Sequence, residues 1–327
     1  LTVLFQQLII IGFFVSFVGF SQDAKERNQE NINVNKFRQL YQEFSSPNMF
    51  RTASGAPGPA YYQQQADYKM DIELDDENKR IYGSETITYT NNSPDNLEYL
   101  WVQLDQNIRK KDSPSLLIDG GGVSPAYLPS GFTKEFLTDS FDGGFNIEYV
   151  VDENKNPLKH FVNQTMMRVD LPNILKSGES FSFSIKWWYN IQDHVNQDGR
   201  SGYESFDKDG NRVYIIAQFF PRMAVYNEVE GWQNYQFWGD GEFALPFGNY
   251  DVKITVPSDH ILDATGELQN RKNVFSKEMI KRYNKAKKTY DKPVMIVTQA
   301  EAEEVEKGFS KKKKTWHFQA ENVRDFA

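Results

Sequence analysis

The chain has 327 residues, enough for one large domain or two smaller ones, a formal net charge of −8 and no cysteine. The acidic balance argues against a nucleic-acid partner, whose phosphates require a basic face, and the lack of cysteine excludes disulfides, thiolate zinc sites and a cysteine nucleophile. Aromatic residues make up 15% of the chain, which favours strands and provides volume for a large core.

The first predicted element is an export signal at 1–21. An apolar run, LIIIGFFVSFVGF, occupies 8–20, which suits a signal-peptide core and is short of the roughly 20 residues of a membrane span. The small residues Gly19 and Ser21 suit a signal-peptidase cut before Gln22. Because the chain begins without Met or a basic residue, we expect this signal to be truncated. We therefore expect a periplasmic or secreted protein with no stable membrane span; a single uncleaved anchor helix is the alternative.

A polar segment at 22–60 follows and is predicted to be a linker that carries one short helix. Apolar residues recur at helical spacing in KFRQLYQEF at 36–44, and Pro47 would end that helix. The run SGAPGP at 54–59 has the composition of a flexible connection. The folded β domain is therefore expected to span 61–320.

Alternating residues predict three strands at the start of the folded domain. In DYKMDIELD at 67–75 apolar residues occupy every second position, and a second alternating run follows at 81–89. NNSPDN at 91–96 is a strong turn, and a third strand follows through 99–103, so we expect a meander. Further strands are predicted at 146–151, 161–163, 166–171, 180–190, 212–220, 242–256, 261–265 and 315–321.

Two segments interrupt the strand pattern. Residues 105–144 hold two glycine clusters and three prolines, which predicts a long loop, and we hypothesise that it covers the seam with a further domain. Residues 276–307 form a predicted helical insertion, with one helix at 276–290 and a Thr298–Glu301 capping box that begins another. The predicted fold is mainly β: a large antiparallel, saddle-like sheet or β-sandwich with a few short helical insertions.

Few residue patterns indicate catalytic or metal chemistry. The four histidines, His160, His194, His260 and His317, have no histidine partner at i+4 and form no H-E-x-x-H. The chain also lacks G-x-S-x-G and a P-loop sequence. We interpret the histidines as surface or core residues and assign no catalytic or metal-binding residue to this chain.

Gln218 is the candidate for contact with a ligand. It ends an apolar run and precedes a sharp turn at 219–222. An amide at a strand end can accept a hydrogen bond from an ammonium group. The alternative that the residues leave open is a structural turn, in which Gln218 and Arg222 satisfy backbone groups.

Longer motifs carry a resemblance to one enzyme family. They are YYQQQADYKMDIELD at 61–75, GSETITYTNNSPDNLEYLWVQLDQN at 83–107, AQFFPRMAVYNEVEGW at 217–232, GEFALPFGNYDVKITVP at 241–257, ATGELQN at 264–270 and TWHFQAENVRDFA at 315–327. With these motifs the chain resembles, over about residues 60–327, the N-terminal domain of the aminopeptidase N family of zinc metallopeptidases, the gluzincin aminopeptidases. The exported members common in Bacteroidetes are the most similar.

The resemblance implies a division of labour between domains. In the family this β domain precedes a thermolysin-like catalytic domain that binds zinc and carries H-E-x-x-H. The resemblance therefore implies that 321–327 begins such a domain, that zinc is bound there, and that this fragment is inactive alone. The implied partners are peptide substrates and the protein's own catalytic domain. A non-catalytic β-sandwich module for peptides or glycans is the alternative, and an inactive family member acting as a scaffold is a third.

One family function lies within the β domain. A Gln or Glu there helps to hold the α-amino group of the substrate, often in the pattern Q-F-E-A…R-x-x-P-x-x-D-E. Gln218 matches its start, and Arg222 with Glu228 matches its end, so the resemblance implies Gln218 and, more weakly, Glu228 as substrate-binding residues. Phe220 stands where an acid is often found, and Asn227 replaces the usual Asp.

Overall fold

Strands predominate in the described part of the chain. The structure, a computed structural model, describes residues 47–115, 126, 128–133, 141–195, 201–239 and 244–327. The strands are β1 (Gln65–Asp75), β2 (Arg80–Thr90), β3 (Leu97–Gln103), β4 (Asn146–Asp152), β5 (His160–Asn163), β6 (Met166–Leu175), β7 (Ser180–Asn190), β8 (Gly202–Ser205), β9 (Arg212–Ile215), β10 (Arg222–Met223), β11 (Tyr226–Asn227), β12 (Gly231–Trp232), β13 (Gly248–Pro257), β14 (Glu267–Leu268) and β15 (Lys313–Val323). The helices are a 3₁₀ helix (Asp105–Arg109), α1 (Pro129–Phe132), α2 (Arg271–Val274), α3 (Lys277–Ala286) and α4 (Gln299–Val305). The prediction of a mainly β fold is confirmed.

The largest sheet has seven strands in the order β14-β15-β13-β1-β2-β7-β4. β2 pairs antiparallel with β1 on one side and with β7 on the other. β1 runs parallel to β13, with Tyr68 opposite Tyr250, so the sheet is mixed and not purely antiparallel as predicted. A parallel pair requires a long crossover connection, and the chain from β2 to β12 supplies it here.

A second sheet, β10-β3-β6-β5, shares one hydrophobic core with the first. Burial alternates strictly along β2, which turns one face of the large sheet towards the core. The second sheet contributes residues such as Leu100, Val102 and Val169 to the same core. The two sheets therefore bury their apolar faces together, as the sandwich prediction requires.

The core-facing side of β2 contains two residues that are not apolar. The indole of Trp187 fills the space beside Gly83, where an added Cβ would lie 2.2 Å from the ring. Glu85 is 2% exposed, and neither of its carboxyl oxygens has a hydrogen-bond partner. Burial raises the pKa of the Glu85 carboxyl well above its ordinary value, because the charged form would lose its hydration there.

The predicted meander is wrong at its third strand. β3 pairs with β6 and β10 in the second sheet and not with β2. The turn at 91–96 carries the chain from the first sheet to the second. Hydrogen bonds hold it in place, because the Asn91 amide donates to the carbonyls of Asp95 and Leu175. Alternation identified each strand, but it does not specify the neighbouring strand.

Three other predicted strands differ from the structure. β13 begins at Gly248, so the strand predicted at 242–256 does not form over the described residues 244–247. β9 ends at Ile215, so the strand predicted at 212–220 is correct only at its start. No strand forms at 261–265, where the Thr265 backbone N–H donates to the Ala327 carbonyl at 2.8 Å. Pairing resumes only at β14, against β15.

The predicted helix starts at 276 and 298 are confirmed. The Ser276 hydroxyl accepts a hydrogen bond from the Met279 backbone N–H at 3.2 Å and caps α3. Thr298 and Glu301 form the reciprocal capping box of α4. Neither helix contains a buried residue, so this insertion lies on the surface.

The described chain begins within the segment 22–60 that was expected to be a linker. Arg51 forms a β-bridge with Pro57, and its Nε donates to Oε1 of Glu228. The described part of this segment therefore contacts the β domain and is not a free connection.

Several predictions concern residues outside the described part: the export signal at 1–21, the helix at 36–44 and most of the loop at 105–144. Of that loop, the structure describes the 3₁₀ helix, α1 and short flanking stretches. Within the described ranges, no helix has the length and apolar character needed to cross a membrane.

Candidate functional site

The segment from β9 to β12 carries the predicted site residues, and two aromatic side chains fix it to the core. Phe219 and Phe220 directly follow Gln218, and both are buried. The Phe220 ring lies edge-on to Tyr68 with centroids 5.4 Å apart. The chain on the C-terminal side of Gln218 is therefore anchored by packing.

Gln218 itself has a left-handed backbone, with φ of +51°. Its carbonyl accepts a hydrogen bond from Nε2 of Gln106 at 2.9 Å, and the same amide lies 3.4 Å from the Ala217 carbonyl. Gln218 is half-buried, and its own carboxamide makes no hydrogen bond to another described residue. The structure thus fixes the Gln218 backbone and leaves its amide oxygen available to a ligand.

Arg222 is fully engaged within the protein. Its Nε and Nη2 donate to Oδ2 of Asp105 at 3.1 and 2.7 Å, and its Nη1 donates to Oδ2 of Asp325 at 2.6 Å. Although burial alone would lower it, the pKa of Arg222 is raised, because two carboxylates stabilise the guanidinium. Arg222 therefore has structural contacts, but its partners are two carboxylates and not the backbone groups that the structural alternative named.

Glu228 lies under Arg51 and is not open to solvent. Its side chain is 2% exposed, one carboxylate oxygen accepts from Arg51 Nε, and the other has no hydrogen-bond partner. Asn227 accepts from the backbone N–H groups of Val229 and Glu230 and so closes the β11–β12 turn. Its amide oxygen performs the capping that a carboxylate could equally perform.

Two tyrosine hydroxyls lie close to carboxylates in this region, and one of them, that of Tyr62, interacts electrostatically with Glu228. Tyr226 donates to Oδ2 of Asp95 at 2.8 Å, and the hydroxyl of Tyr62 is buried without a partner. Burial raises the pKa of Tyr62, and the carboxylates of Asp95 and Glu228 raise it further. Glu228 therefore belongs to this polar cluster, whereas Gln218 contacts the 3₁₀ helix, and no hydrogen bond or ion pair among the described residues joins Gln218 to Glu228.

A cleft of about 1140 Å³ opens beside this segment, and Ala217 and Phe219, the two neighbours of Gln218, are among its lining residues. Its floor includes Ile72 and Ile254 on the inner face of the large sheet, and the β8–β9 hairpin forms one wall. On that wall Asp76 accepts from the Tyr214 hydroxyl at 2.5 Å and from Arg212 Nη1 at 3.2 Å. Neither predicted site residue lines this cleft.

The sequence gives only partial signals for these features. Arg212 and Tyr214 alternate on one strand, which predicts that their side chains share a face, as they do. Nothing in the pattern around Asp105 and Gln106 identifies them as partners of residues more than a hundred positions away.

The histidines are dispersed in the described part of the chain. His260 contacts Asp259, and His317 contacts Asp251, at 3.1 and 2.9 Å respectively. Across the residues that the structure describes, no three His, Cys, Asp or Glu side chains are grouped so that they could hold a metal ion.

Comparison with known proteins gives distant structural similarities. No family model matches the chain, and no curated protein matches it significantly. The M1 zinc metallopeptidase from Deinococcus radiodurans is similar, with 11% identity and a TM-score of 0.35 over 65% of this chain and 37% of that one. A mutant of it bound to a Tyr-Ser-Ala substrate has 12% identity and a TM-score of 0.34, over 64% and 36%.

A two-domain M1 zinc metallopeptidase mutant bound to L-tryptophan is similar at the same level, with 12% identity and a TM-score of 0.35 over 66% of this chain. The chain covers 38% of that structure. At this identity and TM-score, the similarity does not support any residue role.

Proposed function

We propose that this chain is the N-terminal substrate-pocket domain of an exported, zinc-dependent aminopeptidase that removes N-terminal residues from peptides. In this proposal Gln218 accepts a hydrogen bond from the α-ammonium group of the peptide. The observation that carries it is the state of Gln218: a fixed backbone with an unengaged carboxamide, within the motif that resembles the family's amine-binding segment.

A fixed backbone at Gln218 suits this role for a physical reason. A hydrogen bond from a charged donor contributes about 1.5–3 kcal/mol, more than a neutral one, but a mobile acceptor loses part of that in ordering. Phe219 and Phe220 on one side and Gln106 on the other limit the motion of Gln218. The α-amino group would then be held at one place, so that cleavage occurs one residue from the end.

Glu228 is a second, weaker contact in the proposal. Its unpartnered oxygen is buried under Arg51, so an ammonium group could reach it only if Arg51 moved aside, and Arg51 already neutralises its charge. Its contribution to peptide binding should therefore be smaller than that of Gln218.

Zinc does not fit the described residues of this chain, because they contain no group of three suitable ligands. In the proposal zinc would be held by a separate catalytic domain, where it would supply Lewis-acid activation of the scissile carbonyl and of water. The part assigned to this chain is limited to binding the amino end of the peptide.

The proposal is tested by comparing two ligands, trialanine amide and N-acetyl-trialanine amide, in calorimetric titrations of the chain. We expect the free amine to bind about tenfold more tightly or better, and Gln218→Ala to abolish that preference. The matched control is Gln269→Ala, which truncates an exposed glutamine elsewhere. Equal binding of both ligands to the wild-type chain would overturn the proposal and favour a non-catalytic binding module.

A further inference from the structure

The left-handed backbone of Gln218 is not explained by a hairpin. Lys79 and Gln164 also have positive φ, but each lies in a turn between two strands that pair with each other. Gln218 lies between β9 and β10, which belong to different sheets. A non-glycine residue in this region costs about 1–2 kcal/mol, so other contacts must hold it there.

Gln106 provides these contacts. It is 3% exposed and lies on the 3₁₀ helix directly after β3. Arg109 Nη1 lies 3.3 Å from Oε1 of Gln106. Because arginine can only donate, this contact leaves Nε2 of Gln106 to face the carbonyls of Ala217 and Gln218.

The same helix holds the chain on the other side of the turn. Asp105, the neighbour of Gln106, accepts from Arg222 four residues after Gln218. On the N-terminal side, the Ala217 backbone N–H donates to the Ser201 hydroxyl at 3.2 Å. Two adjacent side chains of the 3₁₀ helix thus fix both ends of the segment that carries Gln218.

We propose that Gln106 is a positioning residue, which holds the left-handed backbone of Gln218 so that the Gln218 carboxamide meets the amino end of a peptide. The inference rests on the proposed function and extends it to a residue that does not itself touch the peptide. Its role depends on two donated hydrogen bonds and not on side-chain volume.

The test replaces Gln106 by Met, which keeps the length of the side chain and removes both donors. We expect the preference of Gln106→Met for trialanine amide over its N-acetyl form to fall at least about fivefold, towards that of Gln218→Ala. Affinity for the acetylated peptide should stay unchanged, because that ligand has no ammonium group to place. If Gln106 had only a structural role, the variant would lose affinity for both peptides equally.

Gln64→Met is the matched control. Gln64 is also buried and makes two hydrogen bonds, to Asn91 and Asn92, away from Gln218. This variant should lose stability but keep the amine preference. If Gln106→Met does not fold, Gln106→Asn, which shortens the amide by one methylene, is measured in the same way.

The outcomes separate the two claims. If the wild-type chain prefers the free amine and either folded Gln106 variant keeps that preference, the positioning role is wrong while the proposed function stands. If the wild-type chain has no preference, the proposed function fails and the positioning role fails with it. A preference lost in the Gln106 variants and kept in Gln64→Met supports the positioning role.

Discussion

Arg222 and Asp105 form a buried ion pair in which Nε and Nη2 of the arginine donate to one carboxylate oxygen, at 3.1 and 2.7 Å. The two side chains are 7% and 1% exposed. The same guanidinium binds Asp325, which follows β15 of the large sheet. Arg222 therefore joins the second sheet, to which β10 belongs, with the 3₁₀ helix and with the end of the large sheet.

Replacing Arg222 by Met should lower the free energy of unfolding by about 3–5 kcal/mol, because it leaves the Asp105 carboxylate buried without its partner. Urea denaturation measures this loss. The control is Lys186→Met, which breaks an exposed pair with Glu148 and should cost no more than about 1 kcal/mol. Similar losses for both variants would show that the Arg222 pair does not hold the sheets together.

Gly83→Ala should destabilise the fold by about 1–3 kcal/mol, because the added Cβ would overlap the Trp187 indole. Gly308→Ala is a fair comparison, since its added Cβ would lie 3.4 Å from the nearest atom, and it should change stability by about 0.5 kcal/mol or less. Thermal unfolding of both variants checks the close approach of β2 and β7. Unchanged stability in Gly83→Ala would contradict it.

Glu85 should make stability depend on pH. Burial raises the pKa of its carboxyl well above 4.5 in the folded protein, while the unfolded chain loses that proton near its ordinary value. The folded state then binds more protons above pH 4.5, so this contribution to stability falls as pH rises, by about 1.4 kcal/mol per pH unit until the folded pKa is reached.

Glu85→Gln removes this titration and should keep a flatter stability profile over the same range. The titratable side chains that interact electrostatically with Glu85 are Tyr68 on β1 and Tyr250 on β13, and both have raised pKa values through burial, so they stay neutral there. Urea denaturation from pH 4 to pH 8 gives the difference between wild type and variant. A difference that does not change with pH would contradict a buried neutral acid.

Under the proposed function the purified chain should hydrolyse no peptide, because that proposal assigns peptide binding to this chain and catalysis to a separate domain. Release of nitroaniline from an aminoacyl-nitroanilide measures this. Turnover that a zinc chelator abolishes would contradict the assignment of catalysis to another domain.

The sequence predicted local structure better than it predicted neighbours. Period-two alternation located β1 and β2, and the Thr298–Glu301 pair located the start of α4, because these patterns depend on residues close in the chain. The parallel pairing of β1 with β13 and the transfer of β3 to the second sheet could not be predicted. Those choices depend on packing between distant segments, which alternation does not encode.

The same distinction applies to the candidate site. The motif around Gln218 was evident from the sequence, but its left-handed backbone was not, since glutamine seldom adopts that conformation. The hydrogen bond from Gln106 to Gln218 and the Arg222–Asp105 pair each join segments more than a hundred residues apart, so local sequence does not predict them. The burial of Glu228 under Arg51 could not be predicted either, because the sequence around Arg51 has the composition of a linker.

The amine preference of Gln218→Gly, measured together with its free energy of unfolding, is the most decisive experiment. Glycine removes about 1–2 kcal/mol of left-handed strain, which stabilises the folded state. It also raises the entropy of the unfolded chain, which lowers stability by about 0.4–1 kcal/mol. The variant should therefore be as stable as wild type or slightly more stable. It should also bind trialanine amide and its N-acetyl form equally. A Gln218→Gly variant that keeps the wild-type preference for the free amine would contradict a role of this side chain in binding the peptide's amino end.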